Sequence, residues 1–331
     1  MNQNLVMKLK ISVLKARKLL ADNSEWKTRY AKYAKKIAEN IATIKANKKM
    51  FHQWSPLYLY MNVGNAKSGG SLFAFRYVGQ DVANLKISDG KKILKVSEEQ
   101  KTNNLRDFAC AVNVDGEEWR SSQGTKFRNY FKSNPKRSRD GKGNEEHRVE
   151  SLFLTELSKR KKIEKNPMVH NIQPVKLAGL ARFQLPTPFA AAGFELKYAA
   201  ERGGGIDILA RVGVGKGTTL CICEVKDEYS KNEPPEEAIT QAVEYATFVR
   251  ELLRSESGES WWHLFGFGGK VPQKLKLLVS CIMPFADEKN SSDKSFAKEI
   301  VEIEEDKLEL HYIYFQEQDA TIKHVETSIR R

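Results

Sequence analysis

Three ionisable residues interrupt apolar stretches in the second half of this chain. Asp207 sits in Gly203-Gly-Gly-Ile-Asp207-Ile-Leu-Ala, and Glu224 and Lys226 sit in Cys221-Ile-Cys-Glu224-Val-Lys226. A carboxylate in an apolar strand is costly unless it is paired or binds a cation. Between the two strands lies a glycine-rich turn, residues 212–218. Taking Gly215-Lys216 as a two-residue loop, with glycine first as a type II′ turn prefers, Val214 faces Gly217 and cross-strand partners have residue numbers summing to 431. Asp207 and Glu224 then stand opposite each other on one sheet face, with Cβ atoms about 4.5–5.5 Å apart. Lys226, two residues beyond Glu224, points to the same face. A slip of one residue would break this arrangement.

Two carboxylates so close repel each other unless positive charge lies between them. A hard divalent cation, Mg²⁺ or Mn²⁺, suits oxygen ligands: Asp207, Glu224, the main-chain carbonyl of Val225 and waters. Such an ion lowers the pKa of a bound water and clamps a phosphoryl oxygen. Lys226 can orient that water or stabilise charge developing on a phosphate. These parts suffice to hydrolyse a phosphodiester. The competing reading is a structural Asp/Glu/Lys cluster on a solvated sheet face. The apolar neighbours on both strands and the glycine run favour chemistry.

The G-G-I-D segment followed by a strand ending in C-E-V-K resembles the D…ExK signature of the PD-(D/E)xK nuclease superfamily, over about residues 144–285. The resemblance implies an α/β fold with a restriction-endonuclease-like mixed β-sheet flanked by helices. It also implies a glutamate on the helix before the core sheet. Glu150 in RVESLFLTEL fits that position best, with Glu146 and Glu156 as substitutes. Downstream, Gln241-Ala-Val-Glu-Tyr245 resembles the QxxxY motif of the RecB-like branch. Residues four apart share a helix face, and Pro234-Pro235-Glu236-Glu237 is a good helix start. Gln241 and Tyr245 are therefore expected to reach the site together, although Tyr245 also suits plain core packing. The family's proline before the aspartate is absent, since Ile206 precedes Asp207. The resemblance implies a DNA substrate before RNA, in repair or in defence against foreign DNA. The rival readings are a non-catalytic nucleic-acid-binding protein that keeps the fold, and a partner-interaction protein.

The elements that must position these residues are legible in outline. Residues 26–44 place Trp26, Tyr30, Tyr33, Ile37, Ile41 and Ile44 on one helix face. A shorter helical pattern precedes them, and Asp22-Asn23-Ser24 reads as turn and N-cap. This basic segment suits a helical hairpin, a packed arm or a dimerising element, hence a possible homodimer. Residues 71–87 and 91–96 read as strands around an Asp89-Gly90 turn, and 116–131 as a helix. Residues 133–144 read as a linker. Beyond it, a helix is expected at 145–161, strands at 179–185, 205–212, 220–225, 274–283 and 308–315, and helices at 235–255 and 295–304. The division expected is a basic helical segment (1–50), a small α/β accessory domain for substrate or partner binding (51–140) and a nuclease-like catalytic domain (141–331).

Bulk composition narrows the partners. The net charge of +13 favours a polyanion, and residues 1–50 carry thirteen Lys or Arg against three acids. Nucleic acid, DNA first, is the expected partner. No apolar run reaches the length of about 20 residues that spans a bilayer, so no membrane partner is expected. Four cysteines without zinc-ligand spacing and the lack of a signal-peptide pattern place the chain in the cytoplasm by default. The loop at 212–219 fails the phosphate-loop spacing, because Gly217 follows Lys216. Trp261-Trp262 reads as packing or a partner-facing loop, and the run Lys159-Arg160-Lys161-Lys162 as a solvated helix end. His147, one turn before Glu150, is a surface histidine that can lie near the site.

Overall fold

The computed structural model describes residues 3–52, 54–63, 73–134, 146–158, 171–190, 195–215, 217–227, 235–285, 299–318 and 321–329. Most of the expected linker and the Lys159–Lys162 run lie outside these residues. The fold is mixed α/β, with sheets flanked by helices.

Helices α1 (Gln3–Asp22) and α2 (Glu25–Ala46) meet at a turn. Ser24 occupies the N-cap position without a side-chain bond; Asn23 instead donates to the Leu19 carbonyl at 2.8 Å. On α1, Leu5, Leu9, Val13, Ala16 and Leu20 recur every three or four residues and are buried. Helix α1 lies along α6 (Pro235–Arg254), where Arg17 Nε is 2.9 Å from Glu251 Oε1. The expected face of α2 is buried at Trp26, Tyr30, Tyr33, Ile37 and Ile44. Tyr30 packs 4.8 Å from Phe248 of α6 and 6.2 Å from Trp261 of α7 (Gly258–Leu264), ring centre to ring centre. The tryptophan pair is packing.

The first sheet runs β4-β3-β2-β1-β6, from β1 (Tyr58–Met61), β2 (Phe73–Tyr77), β3 (Gln80–Ser88), β4 (Lys91–Lys95) and β6 (Arg182–Phe183). Residues 71–87, expected as one strand, are instead a hairpin turning at Val78-Gly79, both with positive φ (50° and 77°). A two-residue hairpin turn of that kind needs left-handed residues, and valine is a poor signal for it. The Asp89-Gly90 turn falls where expected. Phe73, Phe75 and Tyr77 alternate onto one face, under α3 (Glu98–Asp107) and α4 (Ser122–Ser133); Tyr77 lies 4.6 Å from Phe131. Helix α4 begins at Ser122 rather than 116, because the Ser121 side chain caps it by accepting from the Gly124 N–H.

The second sheet has seven strands, in the order β12-β13-β11-β10-β9-β5, with β14 (Thr321–Thr327) beside β13. Its members are β5 (Ile172–Pro174), β9 (Ile208–Val212), β10 (Thr219–Val225), β11 (Lys276–Pro284), β12 (Ile300–Ile303) and β13 (Asp306–Gln318). Strands β5, β9 and β10 are antiparallel in turn; β11 returns through α6 to lie parallel to β10. The helix expected at 295–304 is wrong for its described part. Ile300–Ile303 alternates exposed and buried as a strand and turns at Glu304, φ 56°, into β13. A two-stranded ribbon joins β7 (Leu185–Pro186) to β8 (Gly205–Ile206). A Cβ on Gly203, beside this ribbon, would lie 1.9 Å from the Thr187 carbonyl oxygen, so the close approach there requires glycine.

Helix α6 covers the sheet face bearing Leu209, Leu220, Ile222, Leu277 and Val279. Helix α5 (Glu146–Glu156), which ends five residues short of the expected 161, covers the opposite face at Ile208, Ala210, Cys221 and Cys223. Tyr60 of the first sheet joins the same cluster as Val149 and Phe153 of α5, and Tyr58 Oη lies 3.3 Å from Thr155 Oγ1. Helix α5 is therefore packed between the two sheets.

The β2–β3 turn touches the start of α5. A Cβ at Gly79 would lie 2.3 Å from the His147 carbonyl oxygen, whereas one at Gly90, with a similar φ of 73°, would meet nothing within 4 Å. Gly90→Ala should lose only the left-handed backbone penalty, about 1 kcal/mol, and Gly79→Ala measurably more. Equal losses in urea melts would show that the hairpin does not bear on α5.

Candidate active site

The β9–β10 hairpin sets the geometry. Its partners run from Thr219 opposite Val212 to Cys223 opposite Ile208, the expected register throughout. Gly215 has φ 61°, and the Gly217 N–H donates to the Val214 carbonyl at 3.3 Å. The strands themselves stop at Val212 and Thr219, so the connection between them is longer than two residues; Lys216 lies outside the described residues. The ladder ends at Cys223–Ile208, where the next pair would be Glu224 and Asp207. Asp207 Oδ2 there accepts the Val225 N–H at 2.9 Å, a side chain in the place of a main-chain acceptor. The Lys226 N–H donates to Ile282 of β11. Main-chain groups alternate sides along a strand, so the Val225 N–H and carbonyl both face the Asp207 side.

Both covering helices contribute side chains to this end of the sheet. Lys226 Nζ lies 3.3 Å from Glu146 Oε1, 3.4 Å from Gln241 Oε1 and 3.6 Å from Glu224 Oε1. Gln241 Nε2 donates to Tyr245 Oη at 3.2 Å. Glu150 is buried, with Oε2 3.5 Å from His147 Nδ1, and its charge acts on Asp207. The six side chains singled out in the sequence (Asp207, Glu224, Lys226, Glu150, Gln241 and Tyr245) thus converge. The helix glutamate in contact with the lysine is Glu146, and Glu150 lies one turn further along, nearer Asp207. Glu156 is a poor substitute, since ten residues of helix carry it about 15 Å along the axis from Glu146.

The electrostatics are those of crowded carboxylates. Asp207 keeps some solvent contact, yet it is pushed up to about 7, first by burial and then by Glu150; the Val225 N–H and His147 oppose the shift. Burial and the neighbouring Asp207 push Glu224 well above the usual carboxylate range, with Lys226 pulling it down. The hydrogen bond to Glu150 raises His147. Burial, then Glu224, raises the Tyr245 phenol. Glu224 Oε2 is buried, with no hydrogen-bond partner among the described residues. An unpaired carboxylate oxygen between repelling acids is the environment a divalent cation relieves, so Asp207, Glu224 and the Val225 carbonyl fit such an ion.

Composition and spacing did not reveal the first sheet's contribution. Arg76 Nε bonds Asp81 at 2.7 Å, and its guanidinium lies 4.5 Å from the Tyr60 ring centre. Glu150 and Asp81 both act to raise its pKa. Arg182, opposite Tyr60 on β6, lies 3.7 Å over the Tyr58 ring. Pairing of β1 with β6, across more than 100 residues, brings Arg182 beside Tyr58 and Tyr60, and no local pattern encodes it. No protein-family model, curated protein or solved structure matches the chain.

A folded-state aspartate raised from 3.8 to about 7 holds its proton more tightly than the unfolded chain does. The resulting penalty is absent below the lower value, grows through that window as pH rises and is complete above it. Without divalent ions, Asp207→Asn should therefore melt higher than the unsubstituted protein at pH 8, with the gap closing towards pH 4. Mg²⁺ or Mn²⁺ at pH 8 should raise the Tm of the unsubstituted protein and leave Asp207→Asn unmoved. A gap independent of pH in calorimetry would contradict this account of the site.

Proposed function

We propose that the chain is a metal-dependent nuclease that hydrolyses phosphodiester bonds in DNA, on a restriction-endonuclease-like fold with RecB-like accessory residues. The observation that carries this reading is the buried Oε2 of Glu224, unpaired among the described residues, between Asp207 and Lys226. Support also comes from the topology: helix α5, then β5, β9 and β10 as neighbouring antiparallel strands, then helix α6 and a return strand, β11, parallel to β10.

Among the described residues no group of three or more His, Cys, Asp or Glu is gathered as a metal cluster. The donor set is therefore Asp207, Glu224 and the Val225 carbonyl, completed by water. A bound Mg²⁺ or Mn²⁺ supplies the charge that activates a water and polarises the phosphate. The Val225 N–H fixes the rotation of the Asp207 carboxylate. Tyr245 holds Gln241, and Gln241 and Glu146 hold the Lys226 ammonium at the mouth of the site. From there Lys226 donates to a non-bridging phosphate oxygen, where negative charge develops. The hydrogen bond to Glu150 favours the protonated form of His147, beside Asp207. The lysine-rich exposed side of α2 provides sequence-independent contact with the phosphate backbone. No helix among the described residues is long and apolar enough to cross a membrane.

Linear duplex and single-stranded DNA incubated with the protein should be cleaved with Mg²⁺ or Mn²⁺ and left intact in EDTA. Lys226→Ala should cut at least about 100-fold more slowly, with DNA binding retained and a cooperative melt, at a lower Tm, showing that it is folded, and Asp207→Asn should be inactive. Cleavage that persists in EDTA, or at full rate in both variants, would refute the assignment. DNA binding with no cleavage by the unsubstituted protein would favour the non-catalytic alternative.

A further inference from the structure

Three of the large hydrophobic side chains left exposed lie on one helix: Met7, Ile11 and Leu14 of α1, 62%, 48% and 65% exposed. They are spaced four and three apart on the side away from Leu5, Leu9, Val13, Ala16 and Leu20, which bind α1 to the body. At about 100° per residue they fall within an arc of about 60°. Lys10 borders this stripe on one side, Lys8 and Lys15 border it on the other, and Lys18 continues it; all four are exposed. None of the four is in a salt bridge within 4 Å among the described residues, although the Lys15 charge acts on Glu244 of α6. No acid occurs from Gln3 to Ala21.

We propose that this face of α1 docks an acidic amphipathic helix of a partner protein, with apolar residues at alternating spacings of three and four and Asp or Glu on both flanks. The stripe is as narrow as a coiled-coil seam, whereas a helix lying in a membrane surface needs an apolar face of about 100° or more. A second copy of the chain would set lysine against lysine across the seam, which is destabilising. Nucleic acid would pair with the lysines but leave the stripe in water. A helix with apolar seam residues and flanking acids satisfies both, because its carboxylates meet Lys8, Lys10, Lys15 and Lys18 while its seam covers Met7, Ile11 and Leu14. The proposal is independent of the nuclease reading.

The test titrates the full chain with a fluorescent helical peptide about three heptads long, with leucine at the seam and glutamate on the flanks. A second peptide carries lysine on the flanks. The glutamate peptide should bind, more weakly as salt rises, and the lysine peptide should not. Ile11→Glu and Leu14→Glu, each shown to be folded by its melt, should weaken binding at least about tenfold, and Lys15→Glu should weaken it without touching the stripe. Equal binding of both peptides, or undiminished binding by both stripe variants, overturns the proposal. So does sedimentation showing a dimer that Ile11→Glu dissolves, since that makes the occupant a second copy. Loss in Ile11→Glu of binding to phosphatidylserine-containing vesicles, or of binding to duplex DNA, also overturns it.

Discussion

Repulsion between Asp207 and Glu224 is the constraint around which the rest of the molecule is arranged. The two carboxylates stand at the frayed end of a strand ladder, in surroundings that raise the pKa of both. Lys226 offsets part of that repulsion, but it is shared with Glu146 and Gln241, and one oxygen of Glu224 has no partner among the described residues. A buried charge cluster so incompletely compensated is poor material for stability. It is well suited to capturing a cation, because the penalty stored in the folded state is released when the ion binds.

The layers account for how such a cluster is held. Odd-numbered residues of β10 face α5 and even-numbered ones face α6, so Glu224 and Lys226 share a side while Cys221 and Cys223 serve the opposite core. Both helices begin near the same end of the sheet. The first turn of α5 brings Glu146 and His147, and the second turn of α6 brings Gln241. Helix α5 is gripped from behind by the first sheet, through Tyr58, Tyr60 and the Gly79 turn. The first sheet thus sets the position of α5 and brings the Arg76 guanidinium within reach of the Glu150 charge. Helices α1 and α2 anchor α6 from its outer side.

What the sequence disclosed follows from how local each signal is. The hairpin register was legible because a glycine turn and strict alternation fix it within 20 residues, and Gln241 with Tyr245 because four residues make one helical turn. The amphipathic face of α2 was legible for the same reason. The β2–β3 hairpin was hidden because its turn uses Val78 in a left-handed conformation. The strand at Ile300–Ile303 was hidden because Glu302, with Glu299 and Glu304 flanking it, suits a helix equally well, and only pairing with β13 decides between them. Which glutamate of α5 meets Lys226 depends on how the helix is rotated between two sheets, and Arg182 reaches Tyr60 through a pairing between distant segments. These contacts are tertiary, and neither spacing nor propensity encodes them.

The most direct test of the cation claim is a crystal structure of the protein soaked in Mn²⁺, with anomalous diffraction measured at the manganese edge. The account predicts a peak bonded to both Asp207 and Glu224, at about 2.1–2.2 Å from their oxygens, with the Val225 carbonyl in the same coordination sphere. A map with no peak there, with Glu224 still paired to Lys226 and manganese bound elsewhere or nowhere, would contradict it.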